Sequence, residues 1–187
     1  MRRIAWWSVV FAVPMEFQVN VILQGSWGQF AGAVLLYAVI GCATSRTFPW
    51  IAARFAGARR GFWIALCTHA AVGLVAIEWG IMGHAPGNIP DPTLDTIAQA
   101  GMFAWWGTIA AMPRLLEDPR SAPWRRQVAW LYGTYAVLST AFAALWGLAP
   151  VILMMPPVYC AFFWFYARFG RALAAVPGDP REAGAVS

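Results

Sequence analysis

The sequence predicts an all-α membrane protein, built as a bundle of about six transmembrane helices. Hydrophobic residues make up 60% of the 187 residues and charged residues only 11%, whereas an ordinary soluble domain is nearer half apolar and about a quarter charged. The mean hydropathy is +0.58. Apolar stretches long enough to cross a bilayer also recur along most of the chain. These observations predict a multi-pass membrane protein surrounded by the lipid bilayer.

Each predicted span follows from one apolar stretch, since about 20 apolar residues in a helix cross about 30 Å of hydrocarbon. The second and fourth stretches are the shortest and give the weakest predictions. The six stretches, in chain order, are 4–24, 28–45, 61–83, 97–113, 127–148 and 150–170. We predict a single transmembrane helical bundle over residues 1–175. Residues 176–187 are rich in Pro, Gly and Ala and are expected to form a disordered cytoplasmic tail.

All 13 lysine and arginine positions are arginine, and their distribution predicts the orientation. With six spans, every arginine falls on one side of the membrane, whereas segments 25–27 and 84–96 and residue 149 carry none. By the positive-inside rule that side is the cytoplasm, so both termini are predicted to be cytoplasmic, in a bacterial-type inner membrane. The arginines are spread over four juxtamembrane segments. They therefore describe topology, and no nucleic-acid partner is expected.

Two connecting segments have distinct compositions. Ser45–Arg60 mixes large apolar side chains with four arginines, so it is predicted to lie along the inner interface as a short amphipathic piece. Residues 84–96 are dense in proline, glycine and aspartate. They are predicted to form an ordered loop of turns.

Glu16 lies inside the first apolar stretch, where a carboxylate is costly in lipid and marks a functional site by default. Asn20 and Gln24 follow at i+4 and i+8, so three polar groups share one stripe of the predicted helix. This stripe predicts a polar site within the membrane.

A comparison of depths along the predicted helices places further polar residues at the level of Glu16 or above it. A rise of about 1.5 Å per residue puts Glu78 near the depth of Asn20. Pro156 and Pro157 are predicted to kink the sixth helix close to the same level. The sequence therefore predicts a cavity that opens toward the outer half of the membrane, with Glu16 at its floor. The candidate residues are Glu16 and Glu78 as catalytic groups and Asn20, Gln99, Trp105, Trp106, Tyr135 and Ser139 as substrate-binding groups.

Two of the candidate residues and a further histidine, His69, also have a purely structural interpretation. Glu16 is also compatible with a protonated carboxyl group that is hydrogen-bonded to a neighbouring helix, although the functional interpretation is favoured. Glu78 precedes a tryptophan near the interface and can be a border residue that reaches water. His69 lies on the opposite face of its helix from Glu78, so it is predicted to be a packing histidine with satisfied hydrogen bonds.

The chemistry that suits this arrangement is proton transfer to a lipophilic substrate. A carboxyl group in a low-dielectric pocket can stay protonated at neutral pH and act as an acid, and aromatic faces stabilise a developing cation. We expect isomerisation or cyclisation of an isoprenoid or sterol-like lipid. Glu16 donates the proton, Glu78 accepts or relays one, Asn20 and Gln99 orient the acid, and the three aromatic candidates surround the cation.

In size and in its intramembrane carboxylates, the chain is similar to small integral-membrane terpene cyclases and sterol isomerases, although no motif is specific for either family. The cysteines are isolated, and two histidines are too few for a bis-haem or di-iron oxidase. No phosphate-binding loop is present. The sequence thus predicts neither a metal site nor a cofactor.

Two other classes of function fit the same residues. Intramembrane carboxylates also mark proton paths in transporters, and a chain of this size would then work as a homo-oligomer. Small residues on the second predicted helix, such as Gly32 and Gly41, are typical of helix contacts in an accessory subunit of a membrane complex. No inverted repeat is evident, which favours the enzyme over the transporter.

Overall fold

The computed structural model describes residues 2–175, and this part of the chain consists of helices joined by short turns and loops, with no strand. It confirms the predicted all-α fold with six helices. The helices are α1 (Arg2–Glu16), α2 (Trp27–Ala52), α3 (Ala58–Val72), α4 (Pro92–Glu117), α5 (Arg125–Trp146) and α6 (Leu148–Ala174). Two π-helical segments, Phe17–Leu23 and Gly73–Trp79, continue α1 and α3, and a 3₁₀ turn over Pro119–Trp124 precedes α5. The predicted tail, 176–187, lies outside the described residues.

Turn and capping residues set the helix boundaries. Ser26 caps α2 by accepting a hydrogen bond from the Gln29 backbone N–H, and the Asp91 side chain accepts from two backbone N–H groups at the start of α4. Gly147, at φ 77°, separates α5 from α6 in a backbone conformation that favours glycine. The predicted loop of turns therefore ends at Asp91, because the cap starts α4 before Thr96.

The prediction that Ser45–Arg60 forms a separate interfacial segment is wrong for the first half of these residues. Helix α2 continues through Pro49 to Ala52, because Phe48 is buried at 2% exposure and its ring packs 5.6 Å from that of Phe62. A short turn to Gly57 then leads into α3. Burial of the Phe48 ring outweighs the amphipathic pattern of this stretch.

Five of the six helices are long and apolar enough to cross a membrane, which supports a membrane protein; α4 is 26 residues long but is not among them. Helix α4 packs against α1, α3 and α6 and is buried along most of its second half. An inner helix needs few lipid-facing apolar side chains. Its neighbours supply that surface through residues such as Leu35, Val39 and Leu153, which are exposed on the outside of the bundle.

The arginine-bearing segments meet at one end of the bundle, as their spacing predicts. The Arg114 guanidinium donates a hydrogen bond to the Ser45 carbonyl, and Arg168 lies 5.3 Å from the Trp124 ring centroid. We call this the arginine end. The opposite end, formed by residues 24–26, 80–91 and 147, is called the loop end.

The positive-inside rule predicts that the arginine end faces the cytoplasm, and reporter fusions test this prediction. Fusions after Gly25, at Asn88 and after Gly147 are expected to report the exterior, and a fusion at Gly57 the interior. An interior signal at Asn88 would contradict both the orientation and the alternation of the helices.

Candidate functional site

Glu16 is the last residue of α1, at the point where the chain passes into the first π-helical segment. Its Oε2 accepts a hydrogen bond of 2.7 Å from Nδ2 of Asn20, so the predicted pair at i+4 is formed. Asn20 is buried, whereas Glu16 keeps part of its surface accessible. Short π-helical segments occur frequently at functional sites. Glu16 is thus a partly buried acidic side chain at the junction of α1 and the π-helical segment.

Tyr37 on α2 is the second partner of Glu16. Its hydroxyl group lies beside the Glu16 carboxyl group and accepts a hydrogen bond of 2.9 Å from Nε1 of Trp105. Because the indole N–H occupies the acceptor side of the hydroxyl, the tyrosine proton is available to Glu16. Tyr37 and Trp105 are both buried, so they form the fixed wall of the site.

Glu78 lies in the second π-helical segment and has two partners of its own. Its Oε1 accepts a 3.0 Å hydrogen bond from Nε1 of Trp106, and its Oε2 lies 2.8 Å from Nδ1 of His84. The His84 side chain is 52% exposed and that of Glu78 only 12%. This pair therefore extends from the interior to the surface at the loop end.

An aromatic stack connects the two carboxylates. The Trp106 ring lies over the Tyr37 ring at a centroid distance of 5.5 Å and an angle of 16°. One indole thus hydrogen-bonds to Glu78 while its face covers the tyrosine beside Glu16. We call this set the carboxylate network: Glu16, Asn20, Tyr37, Glu78, His84, Trp105 and Trp106.

Gln99 supports the network from the loop end without contacting Glu16. Its Oε1 accepts a 2.8 Å hydrogen bond from Nε1 of Trp79, and its Nε2 donates to the His84 carbonyl at 3.1 Å. These bonds fix the loop that carries His84. Gln99 therefore positions the histidine, and it does not orient the acid as the sequence predicted.

Tyr135 and Ser139 lie in a separate polar cluster. The Ser139 hydroxyl accepts a 2.7 Å hydrogen bond from Nε2 of Gln18, which also donates to Thr140. Within residues 2–175 the buried Tyr135 hydroxyl has no hydrogen-bond partner. Neither residue is hydrogen-bonded to the carboxylate network, because they face the first π-helical segment from the side of α5.

The structure confirms His69 as a packing residue. Its Nε2 lies 2.8 Å from the Thr47 hydroxyl, its Nδ1 lies 2.7 Å from the Ala65 carbonyl, and its ring stacks on Phe48. Both ring nitrogens are engaged at the side of the bundle away from Glu78.

Two members of the network were missed in the sequence analysis. Tyr37 stands alone in the middle of the second apolar stretch, and an isolated phenol at mid-span is the signal that could have identified it. His84 follows Glu78 by six residues, and it was assigned to the loop because no helical spacing joins them. The turn after Trp79 brings the imidazole back onto the carboxylate.

A cavity of about 530 Å³ lies at the arginine end, and no member of the carboxylate network lines it. This location differs from the sequence-based prediction, which placed a cavity around Glu16. The Tyr37 and Trp105 side chains near Glu16 are buried, whereas Glu16 itself is only partly buried.

Gly73, at the start of the second π-helical segment, allows the closest helix contact in the network. A Cβ atom there would overlap the Trp106 ring, whereas a Cβ atom at Gly32 on α2 would meet nothing within 4 Å. Gly73→Ala is expected to lower the stability by about 1–3 kcal/mol, because Trp106 must move. Thermal unfolding in detergent measures this loss.

The matched control is Gly32→Ala, which is expected to be neutral or slightly stabilising. In a Trp106→Ala background the same Gly73 substitution should cost much less, since the overlapping ring is gone. Equal losses in both backgrounds would contradict the assigned contact.

No family model, curated protein or solved structure matches this chain.

Proposed function

We propose that this protein is a small integral membrane enzyme that isomerises or cyclises a lipophilic substrate, of isoprenoid or sterol-like character, by acid–base catalysis. The main observation that supports the proposal is the set of side chains around Glu16. Glu16 is only partly buried, it accepts a hydrogen bond from the buried Asn20 amide, and the buried Tyr37 phenol beside it is held by the Trp105 indole. This is the environment of an acid that acts in an apolar medium.

In the proposed reaction, Glu16 transfers its proton to a carbon–carbon double bond of the substrate. The substrate becomes a carbocation, which the indole ring of Trp105 is placed to stabilise, whereas the Trp106 ring is already stacked on Tyr37 and packed against Gly73. The Glu16 carboxylate left behind is stabilised by the hydrogen bond from Asn20 and by the neighbouring Tyr37 hydroxyl group. Loss of a proton from a neighbouring carbon forms a new double bond, so the atoms of substrate and product are the same.

Glu78 and His84 form the second half of the proposed mechanism. The pair connects the interior to the loop end, so it can accept the departing proton and exchange it with water. Trp106 keeps Glu78 in place and adjoins Tyr37. The two carboxyl groups then hold separate roles, with Glu16 as acid and Glu78 as base or relay.

Incubation of the purified protein with a panel of isoprenoid alcohols, isoprenoid diphosphates and sterols tests the proposal. We expect at least one member to be converted into an isomer of equal mass, which chromatography coupled to mass spectrometry resolves. Heat-denatured protein is the control. Failure to convert any of these compounds, together with gradient-driven uptake of an unmodified compound into proteoliposomes, would contradict the proposal of an enzyme.

Proton-coupled transport is the second candidate, and the Glu78–His84 pair favours it. A half-exposed imidazole on a mostly buried carboxylate is also the entrance expected of a proton path. In this case proteoliposomes should accumulate an unmodified compound from the same panel when a pH gradient is imposed. An enzyme needs no gradient.

On α2, Gly41 gives no support for an accessory subunit, whereas Gly32 has open space around it, as a contact with a partner would need. A Cβ atom at Gly41 would lie 2.9 Å from Ala5 and Ser8 of α1, so this glycine serves contact within the chain. The close α1–α2 packing accounts for it without a partner protein.

A further inference from the structure

The cavity at the arginine end is walled mainly by apolar side chains. Helices α1, α2, α3, α4 and α6 all contribute to it, and its volume is about 530 Å³. Phe48, Phe62 and Phe169, each nearly fully buried, form its inner wall, and Ala53 lies on its exposed rim. The cavity is large enough for a segment of a hydrocarbon chain.

Arg114 brings a positive charge to this apolar wall. Its guanidinium group donates to the Ser45 carbonyl and lies 5.6 Å from the Phe48 ring centroid. Its Nε is buried and has no hydrogen-bond partner, and no carboxylate forms an ion pair with it, within residues 2–175. A guanidinium group in such surroundings is costly without a counter-charge.

The two acidic side chains that also line the cavity are engaged elsewhere. Oε1 of Glu117 accepts a 2.7 Å hydrogen bond from Nε1 of Trp7. The Asp118 carboxylate is bound by the Arg120 guanidinium through two hydrogen bonds, of 2.9 and 2.7 Å. Within residues 2–175, Arg114 is thus the charged group lining the cavity that has no carboxylate partner and whose guanidinium is hydrogen-bonded only to the Ser45 carbonyl.

We propose that this cavity binds an anionic phospholipid, with the phosphate on Arg114 and part of an acyl chain against the three phenylalanines. The planar guanidinium group matches phosphate oxygens. The arginine end of the spans is also the depth at which lipid headgroups lie. The apolar wall favours a lipid over a free phosphate ion, since a free ion would leave that wall uncovered.

Native mass spectrometry of the full chain in detergent, titrated with phosphatidylglycerol, tests the site. Arg114→Gln is expected to weaken retention by about tenfold or more, as for loss of a charged hydrogen-bonding partner. The matched control is Arg60→Gln, which removes an exposed arginine at the same end and should change retention by less than about twofold. Equal retention by both variants would overturn the proposal.

Binding measurements with other ligands show whether the bound phosphate belongs to a lipid, and melting temperatures show whether the variants are folded. Glycerol phosphate without acyl chains should not bind measurably, and phosphatidylcholine should bind more weakly than phosphatidylglycerol. Glycerol phosphate binding as strong as that of the lipid would overturn the lipid assignment.

Ala53→Phe is expected to fill the rim and reduce lipid retention with all charges intact. Glu117→Gln should raise retention by removing a nearby negative charge. Unchanged retention in both variants would overturn the location, and unchanged melting temperatures establish that they are folded.

Discussion

Replacing Glu16 by glutamine is expected to abolish turnover while the helical bundle stays folded. The amide keeps the shape of the carboxyl group and can still bond to Asn20, but it has no acidic proton to transfer. A positioned general acid contributes about 10²- to 10⁴-fold to the rate, so the loss should reach this range. The measurement is the rate of isomer formation in detergent, beside the melting temperature of the variant.

Glu117→Gln is the matched control for this substitution. Glu117 is also a partly buried carboxylate at a helix end, and like Glu78 it accepts a hydrogen bond from an indole. It lies at the arginine end, away from the network, so its replacement should leave turnover unchanged. If Glu16 were only structural, Glu16→Gln would instead lower the stability and retain specific activity. A well-folded and fully active Glu16→Gln protein would remove Glu16 from the mechanism.

Replacing Glu78 by glutamine is expected to produce the second largest loss, again by about 10²-fold or more if it is the base. The substitution removes the charge that pairs with His84 and leaves the hydrogen bond from Trp106 possible. The pH profile of turnover should lose or shift one limb, because an essential general base gives rise to one limb of such a profile. Rates measured across the pH range, with and without an imposed gradient, show the effect.

The His84→Gln variant distinguishes a proton-relay role of His84 from the role of Glu78 as the base. The amide can still hydrogen-bond to Glu78 but cannot exchange a proton, so turnover should fall less than in Glu78→Gln. A Glu78→Gln protein whose pH profile is identical to that of the unchanged protein would contradict the assigned role. Loss of gradient-driven uptake of an unmodified compound would support the transporter instead.

The pattern of apolar stretches and arginines was sufficient to predict the fold. Length and hydropathy determine where a helix can span, and the arginine segments share one end because successive helices alternate in direction. The Glu16–Asn20 pair was also predictable, since a spacing of four residues brings side chains together in a helix. Such local relations need no knowledge of neighbouring helices.

Contacts between helices were harder to predict, because depth along a span does not specify the face that a residue presents. Ser139 has the expected depth but bonds to Gln18 rather than to the Glu16 pair. Tyr37 was overlooked because its role depends on how α2 packs against α4. The π-helical segments that follow Glu16 and begin at Gly73 shift the later residues to different faces of their helices. No feature of the amino-acid composition predicts these segments.

Deuterium incorporation tests the central claim, that Glu16 protonates the substrate, most directly. With D₂O as solvent the Glu16 carboxyl group exchanges its proton, so each turnover should place one deuterium on a carbon of the isomerised product. Glu16→Gln protein should form no labelled product. Unlabelled product from the unchanged protein in D₂O, or labelled product formed at an undiminished rate by Glu16→Gln, would contradict the account.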